Sequence, residues 1–316
     1  MNPKLTYTND VGGFKRGTGL LVIEVRNSNP NGDPDRDSDP RQRPDQRGEI
    51  SPVSFKRKLR DLVEWKGEVW DALADELKLD AARFGILESR GRDRMDIAKK
   101  LTGDGQAFKN AYWDGRVFGN TFLESMKDDE AKKHGFKENE IKEFKANAIR
   151  TGCVHFGLGL SIAPIDIERH TNTNKSGVQD DKDRGMAPMG YRFVPHGLYL
   201  MPFFVNPSAA ARTGCTGEDI ALLLELIRYA YPHTRSHARP AVDLACAWYV
   251  EHSDKLGSCS DFAILDALSP TKLTDPDTPS KSLADYEPLP NSLPEDLAAK
   301  KDRHGNPALT LIDLLA

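Results

Sequence analysis

The run from Asn27 to Glu49 constrains this chain more than any other stretch. It is almost purely polar, opening Asn-Ser-Asn-Pro-Asn-Gly-Asp-Pro-Asp-Arg-Asp-Ser-Asp-Pro. Proline removes backbone donors, while Gly, Asn and Asp favour turns, so the stretch reads as a long loop. Loops of that length inside a compact domain are either functional or disordered. Clear elements flank it. Gly19–Arg26 is a short apolar, β-branched run and predicts a buried first strand. On the other side, Ser51 can cap a helix whose first position holds Pro52, with Val53, Phe55, Leu59, Leu62 and Val63 as its apolar face.

Residues 67–148 read as mostly helical and highly charged, with helices expected over Glu68–Leu79, Asp93–Leu101 and Phe122–Ala148, and Tyr112–Gly119 interrupting them. The glycine-studded Thr151–Ile167 segment reads as a strand with close backbone approach. Arg169–Pro188 is expected to be a projecting flexible arm, and Tyr191–Val205 a strand or hairpin around Pro195-His-Gly197. Gly217–Tyr231 predicts an amphipathic helix with Glu218 and Asp219 in its first turn, and Ala241–Glu251 a last strand. Stripped of insertions, the order is β-α-β-β-α-β, the split βαβ pattern that includes the RNA-recognition fold. After Pro270 the chain turns proline-rich and acidic; a loosely ordered extension is expected, with a small terminal helix over Leu309–Leu315.

The 316 residues give enough chain for a substantial core. No apolar run is long enough for a transmembrane helix, and Met1-Asn-Pro-Lys-Leu5 does not open a signal peptide, so no membrane partner and a cytoplasmic location are expected. Cys153, Cys215, Cys246 and Cys259 form no CxxC pair and read as reduced thiols, with no zinc site. With a net charge of −4, any hold on nucleic acid must come from a local basic patch.

Asp33, Asp35, Asp37 and Asp39 alternate like a calcium loop, but an EF-hand needs Gly at the sixth position and Glu at the twelfth, where Ser38 and Pro44 stand. A looser divalent-metal site or a solvated acidic turn remain the two readings. Nucleophile elbows, HExxH and phosphate loops are absent. His155 and His196 read as structural or surface histidines, and His233 and His237 lack a carboxylate partner for metal; neither cofactor nor metal is expected. The best chemical signal is Lys56, Arg57, Lys58 and Arg60 in the first turns of the helix, where cations oppose the helix dipole and so answer to an anion instead. Helical spacing puts Lys56 and Arg60 on one face, beside backbone donors that suit a phosphodiester; the alternative is a solvated charged face. Asn27, Asn29 and Asn31 offer uncharged donors and acceptors, or are simply turn formers.

Several segments together resemble the backbone subunits of the CRISPR-associated RAMP superfamily: Arg26-Asn-Ser-Asn-Pro-Asn-Gly-Asp-Pro-Asp35, Ser51-Pro-Val-Ser-Phe-Lys-Arg-Lys-Leu-Arg60, Asp114-Gly-Arg-Val-Phe-Gly119, Gly152–Ile162, Val194–Tyr199 and Arg235-Ser-His-Ala-Arg239. Among these the chain is most similar to the guide-RNA-coating subunit of type I-C Cascade. The resemblance covers about residues 15 to 270. It implies an α+β fold: a modified RNA-recognition, ferredoxin-like palm over residues 1–270, a helical finger insertion near 67–148, a hairpin thumb near 165–190, and a C-terminal extension over 271–316. It also implies a non-catalytic subunit stacked in several copies along crRNA, with other Cascade subunits and target DNA as partners. Carried onto this sequence, Ser51, Lys56, Arg57 and Arg60 would contact phosphates and Asn29 and Asn31 would line the guide. Gly157 and Gly159 would let backbone approach RNA, and Arg169 would sit in the thumb. Two rivals stand beside this reading: an RNA endonuclease of the type III kind using a loop aspartate, and a scaffold or metal-binding protein unrelated to RNA.

Overall fold

The computed structural model describes residues 7–100, 105–120, 128–147, 151–173 and 188–316. The elements run β1 (Gly17–Ser28), β2 (Arg47–Ile50), α1 (Pro52–Glu64), α2 (Glu68–Leu77), α3 (Arg94–Lys100), α4 (Gly105–Ala111), α5 (Trp113–Phe118), α6 (Asp128–Lys133) and α7 (Glu138–Asn147). Then come β3 (Val154–Phe156), β4 (Gly159–Pro164), β5 (Glu168–Thr173), β6 (Pro188–Val205), α8 (Ala210–Thr213), α9 (Gly217–Ile227), β7 (Val242–His252), α10 (Asp261–Leu268), α11 (Glu295–Ala298) and β8 (Leu309–Asp313).

The sheet carries the expected topology. Its strand order is β2-β4-β6-β1-β7-β8, and every described pairing is antiparallel. With β6 antiparallel to both β1 and β4, those two run parallel, joined through α1 with β6 between them; β6 and β7, joined through α9, likewise flank β1. Two interleaved split βαβ units define the palm, so the α+β, RNA-recognition-like reading holds. The first 6 residues of β6 pair with β5, placing Arg169 opposite Arg192 and His170 opposite Tyr191. The hairpin is therefore a direct continuation of a central palm strand; most of the expected arm, 174–187, lies outside the described residues.

Side-chain alternation splits the sheet into two buried faces. Leu21, Ile23 and Val25 of β1, Tyr199, Met201 and Phe203 of β6, and Tyr249 of β7 face α1 and α9, which contribute Phe55, Leu59, Leu62, Ile220, Leu223 and Leu224. Leu20, Val22, Leu198, Trp248 and Val250 face the other way and meet Ile264, Leu268, Tyr286, Leu297 and Leu309. The proline-rich tail is thus no loose extension: it covers the second sheet face. Leu309–Asp313 is a strand instead of the expected terminal helix, because the free edge of β7 offers it a backbone ladder from Trp248↔Asp313 to His252↔Leu309. A hydrogen-bonded chain pins the tail: Tyr286 donates to Ser280 Oγ (2.9 Å), which meets His196 Nδ1 (2.8 Å), whose Nε2 reaches Glu24 Oε1 at 3.3 Å.

Other expectations shift locally. Thr151–Ile167 forms two strands, β3 and β4, not one, while Tyr191–Val205 is one continuous strand. The long helix expected over Phe122–Ala148 is represented by α6 and α7, separated by Gly135 at φ +87°. Tyr112–Gly119 contains α5 where an interruption was expected. Its Arg116, fully buried, forks onto Asp219 of α9 with contacts of 2.9 and 2.7 Å, and its remaining donors meet the carbonyls of Lys109, Asn110 and Arg83. Among the described residues, all four cysteines are free and no helix is long and apolar enough to cross a membrane.

Candidate nucleic-acid interface

Helix α1 begins as its sequence demands. Ser51 Oγ accepts from Ser54 N (3.2 Å) and Pro52 occupies the first turn. Its four early cations then meet different fates. Arg60 is 3 % exposed; its Nε lies 2.9 Å from Asp114 Oδ2 and its Nη2 3.0 Å from Glu88 Oε2. Asp114 in turn accepts from the backbone of Leu87 and Glu88. Arg60 therefore belongs to a buried ion network, and the expectation of a phosphate-gripping Arg60 gives way to a fold-holding one. Lys58 is also buried: it donates to Thr234 Oγ1 (2.8 Å) and lies 5.1 Å from the Tyr231 ring centroid, and burial, reinforced by Arg239, lowers its pKa to about 8. Lys56 does share a face with Arg60, above the Phe118 ring at 5.6 Å, and burial followed by the Arg60 charge lowers its pKa. Exposed His155 lies close enough for Lys56 to depress its pKa, second to partial burial. Arg57 turns the other way, 4.0 Å from Asp61, which also pairs with Arg90 at 2.6 Å. The expected single basic strip is therefore split across two sides of the helix.

The polar loop is folded, and its asparagines fold it. Asn31 Oδ1 accepts from Ser51 N (2.8 Å), tying the loop to the helix start. Asn29 donates from Nδ2 to Ser38 O (2.7 Å), its backbone N–H reaches Ala238 O (2.8 Å), and its carbonyl accepts from Arg239 Nε (3.1 Å). Asp33 accepts from the Asp35 N–H to start a 3-10 turn. Asp39, 8 % exposed, pairs with Arg169 of β5 (2.5 Å) and Arg192 of β6 (3.1 Å), which clamps the hairpin base onto the loop. Of the alternating aspartates, Asp33 thus caps a turn while Asp37 and Asp39 make ion pairs, and no group of three metal-ligating side chains occurs among the described residues. Gly157 and Gly159 have a packing reason: a Cβ at Gly157 would stand 2.9 Å from Pro202 Cγ, and one at Gly159 3.1 Å from Met201 Cε and 3.2 Å from Ile50 Cβ.

What gathers these parts is the connection from α9 to β7, Arg235-Ser-His-Ala-Arg239, which lines three cavities. The first, about 570 Å³, lies between α1 and this connection, with Arg57, Lys58, Arg90, His233, Arg235 and Arg239 on its walls and Asp61 as its one acid. Trp65 and Val53, both more than half exposed, stand on its rim. A second cavity, about 380 Å³, shares Arg235 and mixes Arg26 with Glu24 and Asp243. The third, about 540 Å³, lies where the polar loop meets the hairpin and includes Asn27, Asn29, Tyr191, Phe193 and His237. Arg90, Arg235, Arg239 and Trp65 were not singled out by residue chemistry, because they come from three distant segments with no shared period. A cleft with several cations, little acid and an exposed indole suits a single-stranded polyanion whose bases can stack.

The chain was compared with known proteins. A search of curated proteins finds no match. Similar solved structures include a chain titled "CRISPR RNA-guided surveillance complex, pre-nicking" (14% identity, 76% of this chain and 79% of that one, TM-score 0.45). Another is titled "CRISPR RNA-guided surveillance complex" (14% identity, 81% and 76%, TM-score 0.41). A third comes from a type III-B Cmr-beta complex bound to cognate target RNA (11% identity, 76% and 63%, TM-score 0.36). The family model described as CRISPR-associated protein Cas7 matches residues 15–289, from just before β1 into the first part of the tail. This chain belongs to the CRISPR-associated protein Cas7 family.

Proposed function

We propose that this chain is the non-catalytic, crRNA-binding backbone subunit of a cytoplasmic type I interference complex of the I-C Cascade kind. In this reading several copies stack along the guide with the other subunits so that the guide can meet target DNA. The observation that carries the reading is the charge of the cleft between α1 and the 235–239 connection: five Lys and Arg side chains against the single carboxylate of Asp61, on a chain whose net charge is −4. Such a surface holds phosphates locally without attracting polyanions everywhere. One copy then binds weakly and with strong salt dependence, and contacts between copies raise the effective affinity. Ser51 and Asn31 fix the start of α1, Lys56 and Arg57 border the guide on its two sides, and Arg169 steadies the hairpin thumb over it.

The sheet face on which RNA-recognition domains stack bases is occupied by Tyr286, Leu297 and Leu309, which favours a guide path along the helix side instead. The endonuclease alternative draws on Asp35 and Asp37, the loop aspartates that neither cap the turn, as Asp33 does, nor enter a buried ion pair, as Asp39 does. The direct test removes two cleft cations, Arg90→Ala with Arg235→Ala; Arg90 pairs with buried Asp61, which keeps Arg57 at 4.0 Å, and circular dichroism checks that the variant stays folded. Binding to crRNA should weaken about tenfold or more across all sequences, with the slope of log affinity against log salt falling by about 2. Unchanged affinity and slope refute the placement. Regularly spaced cleavage of complementary RNA by the magnesium-loaded assembly, lost on Asp35→Ala or Asp37→Ala, replaces the non-catalytic reading with the nuclease one.

A further inference from the structure

Strand β8 ends the sheet on the β7 side, and its ladder has a fixed parity. Ser253 N donates to Ala308 O (2.9 Å) and Leu314 N to Ala247 O (2.8 Å), so the even-numbered residues of this segment turn their backbone groups toward β7. Leu309, Leu311 and Asp313 therefore turn theirs outward, where no strand lies among the described residues. The far end of the sheet is treated differently. There the polar loop covers the outer side of β2, with Arg43 N on Arg47 O (2.8 Å) and Glu49 N on Arg41 O (3.0 Å). An open row of donors and acceptors is a template for another strand. The usual deterrents are missing from β8: Leu309-Thr-Leu-Ile-Asp313 holds no lysine or proline, and its register against β7 runs without a bulge.

We propose that this edge pairs antiparallel with the same edge of a second copy, about a two-fold axis at Leu311. The register that engages the outward groups of all three residues sets Leu311 against the partner's Leu311 and Leu309 against the partner's Asp313. Leu311, half-buried against the second sheet face, then covers its remaining surface with its own copy. Charge favours this arrangement. The Leu309 end of β8 adjoins exposed Lys300 and Lys301, through Ala308 N on Lys300 O (2.9 Å) and the bridge between Lys301 and Pro307, whereas the other end carries Asp313. Antiparallel pairing brings the acidic end of each copy to the basic end of the other; parallel pairing in register would set Asp313 beside its own copy. Such a contact is isologous and closes at two copies. It uses the Trp248–His252 half of β7, while the 235–239 connection enters that strand at Val242, so the basic cleft stays open. The inference is independent of what the cleft binds.

Sedimentation of the nuclease-treated full-length chain over a concentration series tests it. The mass should approach twice the monomer's and stop there, with half-association on the order of 10–100 µM for so small an interface. Amide exchange followed by NMR locates the contact: the Leu309, Leu311 and Asp313 N–H groups should gain protection with concentration, while Thr310 and Ile312, held by β7, are protected throughout. Leu311→Pro deletes one outward donor and leaves the β7 ladder whole, since proline fits an edge strand whose N–H faces solvent, and it should abolish the dimer without unfolding the chain. Leu311→Lys sets like charges against each other across the axis and should weaken association about tenfold or more, which keeps the test valid if the proline variant unfolds. A chain that stays monomeric throughout, association that both variants leave intact, or growth past the dimer overturns the pairing. Protection of the three outward amides only after other subunits join assigns the edge to a foreign strand and overturns the second copy as its occupant.

Discussion

Replacing Arg60 separates the two roles that a basic residue on α1 can have. The guanidinium is 3 % exposed and bridges Asp114 and Glu88, so Arg60→Ala strands the Asp114 carboxylate, which is 1 % exposed, beside a half-buried glutamate. Removing one member of a buried pair costs about 3–5 kcal/mol. Asp114 keeps two backbone donors, Leu87 N at 2.6 Å and Glu88 N at 3.1 Å, which places the expected loss near the lower end, about 3 kcal/mol. That is roughly a 10²-fold shift in the folding equilibrium. Urea unfolding followed by circular dichroism reads it directly, and a cycle with Asp114→Asn isolates the pair, with a coupling of about 1–3 kcal/mol. Crucially, the folded fraction should bind RNA with wild-type affinity. An Arg60→Ala variant of wild-type stability that has lost RNA binding would return Arg60 to the phosphate-contacting set and refute the assignment.

Two further outcomes follow from the second sheet face. Burial lowers the pKa of His196 despite the opposing pull of Glu24 and Asp285, so the folded chain resists a proton that the unfolded chain accepts at about 6.5. The resulting stability is fully present above that pH and lost as pH falls below it; urea midpoints should drop on acidification through this window, and less in His196→Gln, while identical slopes in both chains contradict the account. Truncation after Pro270 removes Tyr286, Leu297, Leu309 and Ile312 from burial, roughly 8 kcal/mol at about 2 per side chain, a large part of a domain's net stability. The truncated chain should bind a hydrophobic dye and aggregate; a monodisperse monomer with an unchanged unfolding midpoint shows that the cover is dispensable.

Local pattern carried the palm. The β-branched run at β1, the Ser51-Pro52 start of α1 and the acidic first turn of α9 were legible because each depends on neighbours within a few residues, and their order was enough to give the split βαβ topology. The polar run from Asn27 to Glu49 was legible as loop but not as architecture. Its asparagines and Asp39 act on Ser51, Ala238, Arg169 and Arg192, partners that no sequence window contains.

Charge was where sequence reasoning was least complete. Lys56, Arg57, Lys58 and Arg60 are alike in type and adjacent in the chain, yet two are buried and two border different surfaces, because a carboxylate 54 residues away at Asp114 and a hydroxyl at Thr234 decide which cations leave water. The sequence alone determined which segments could be strands or helices, since backbone propensity and side-chain period are local. The tertiary structure alone decided that Arg90, Arg235 and Arg239 share a cleft with Arg57, and that a proline-rich tail becomes a cover and an edge strand. Desolvation, ion pairing and strand addition depend on what lies opposite in space, and that is settled only when distant segments meet.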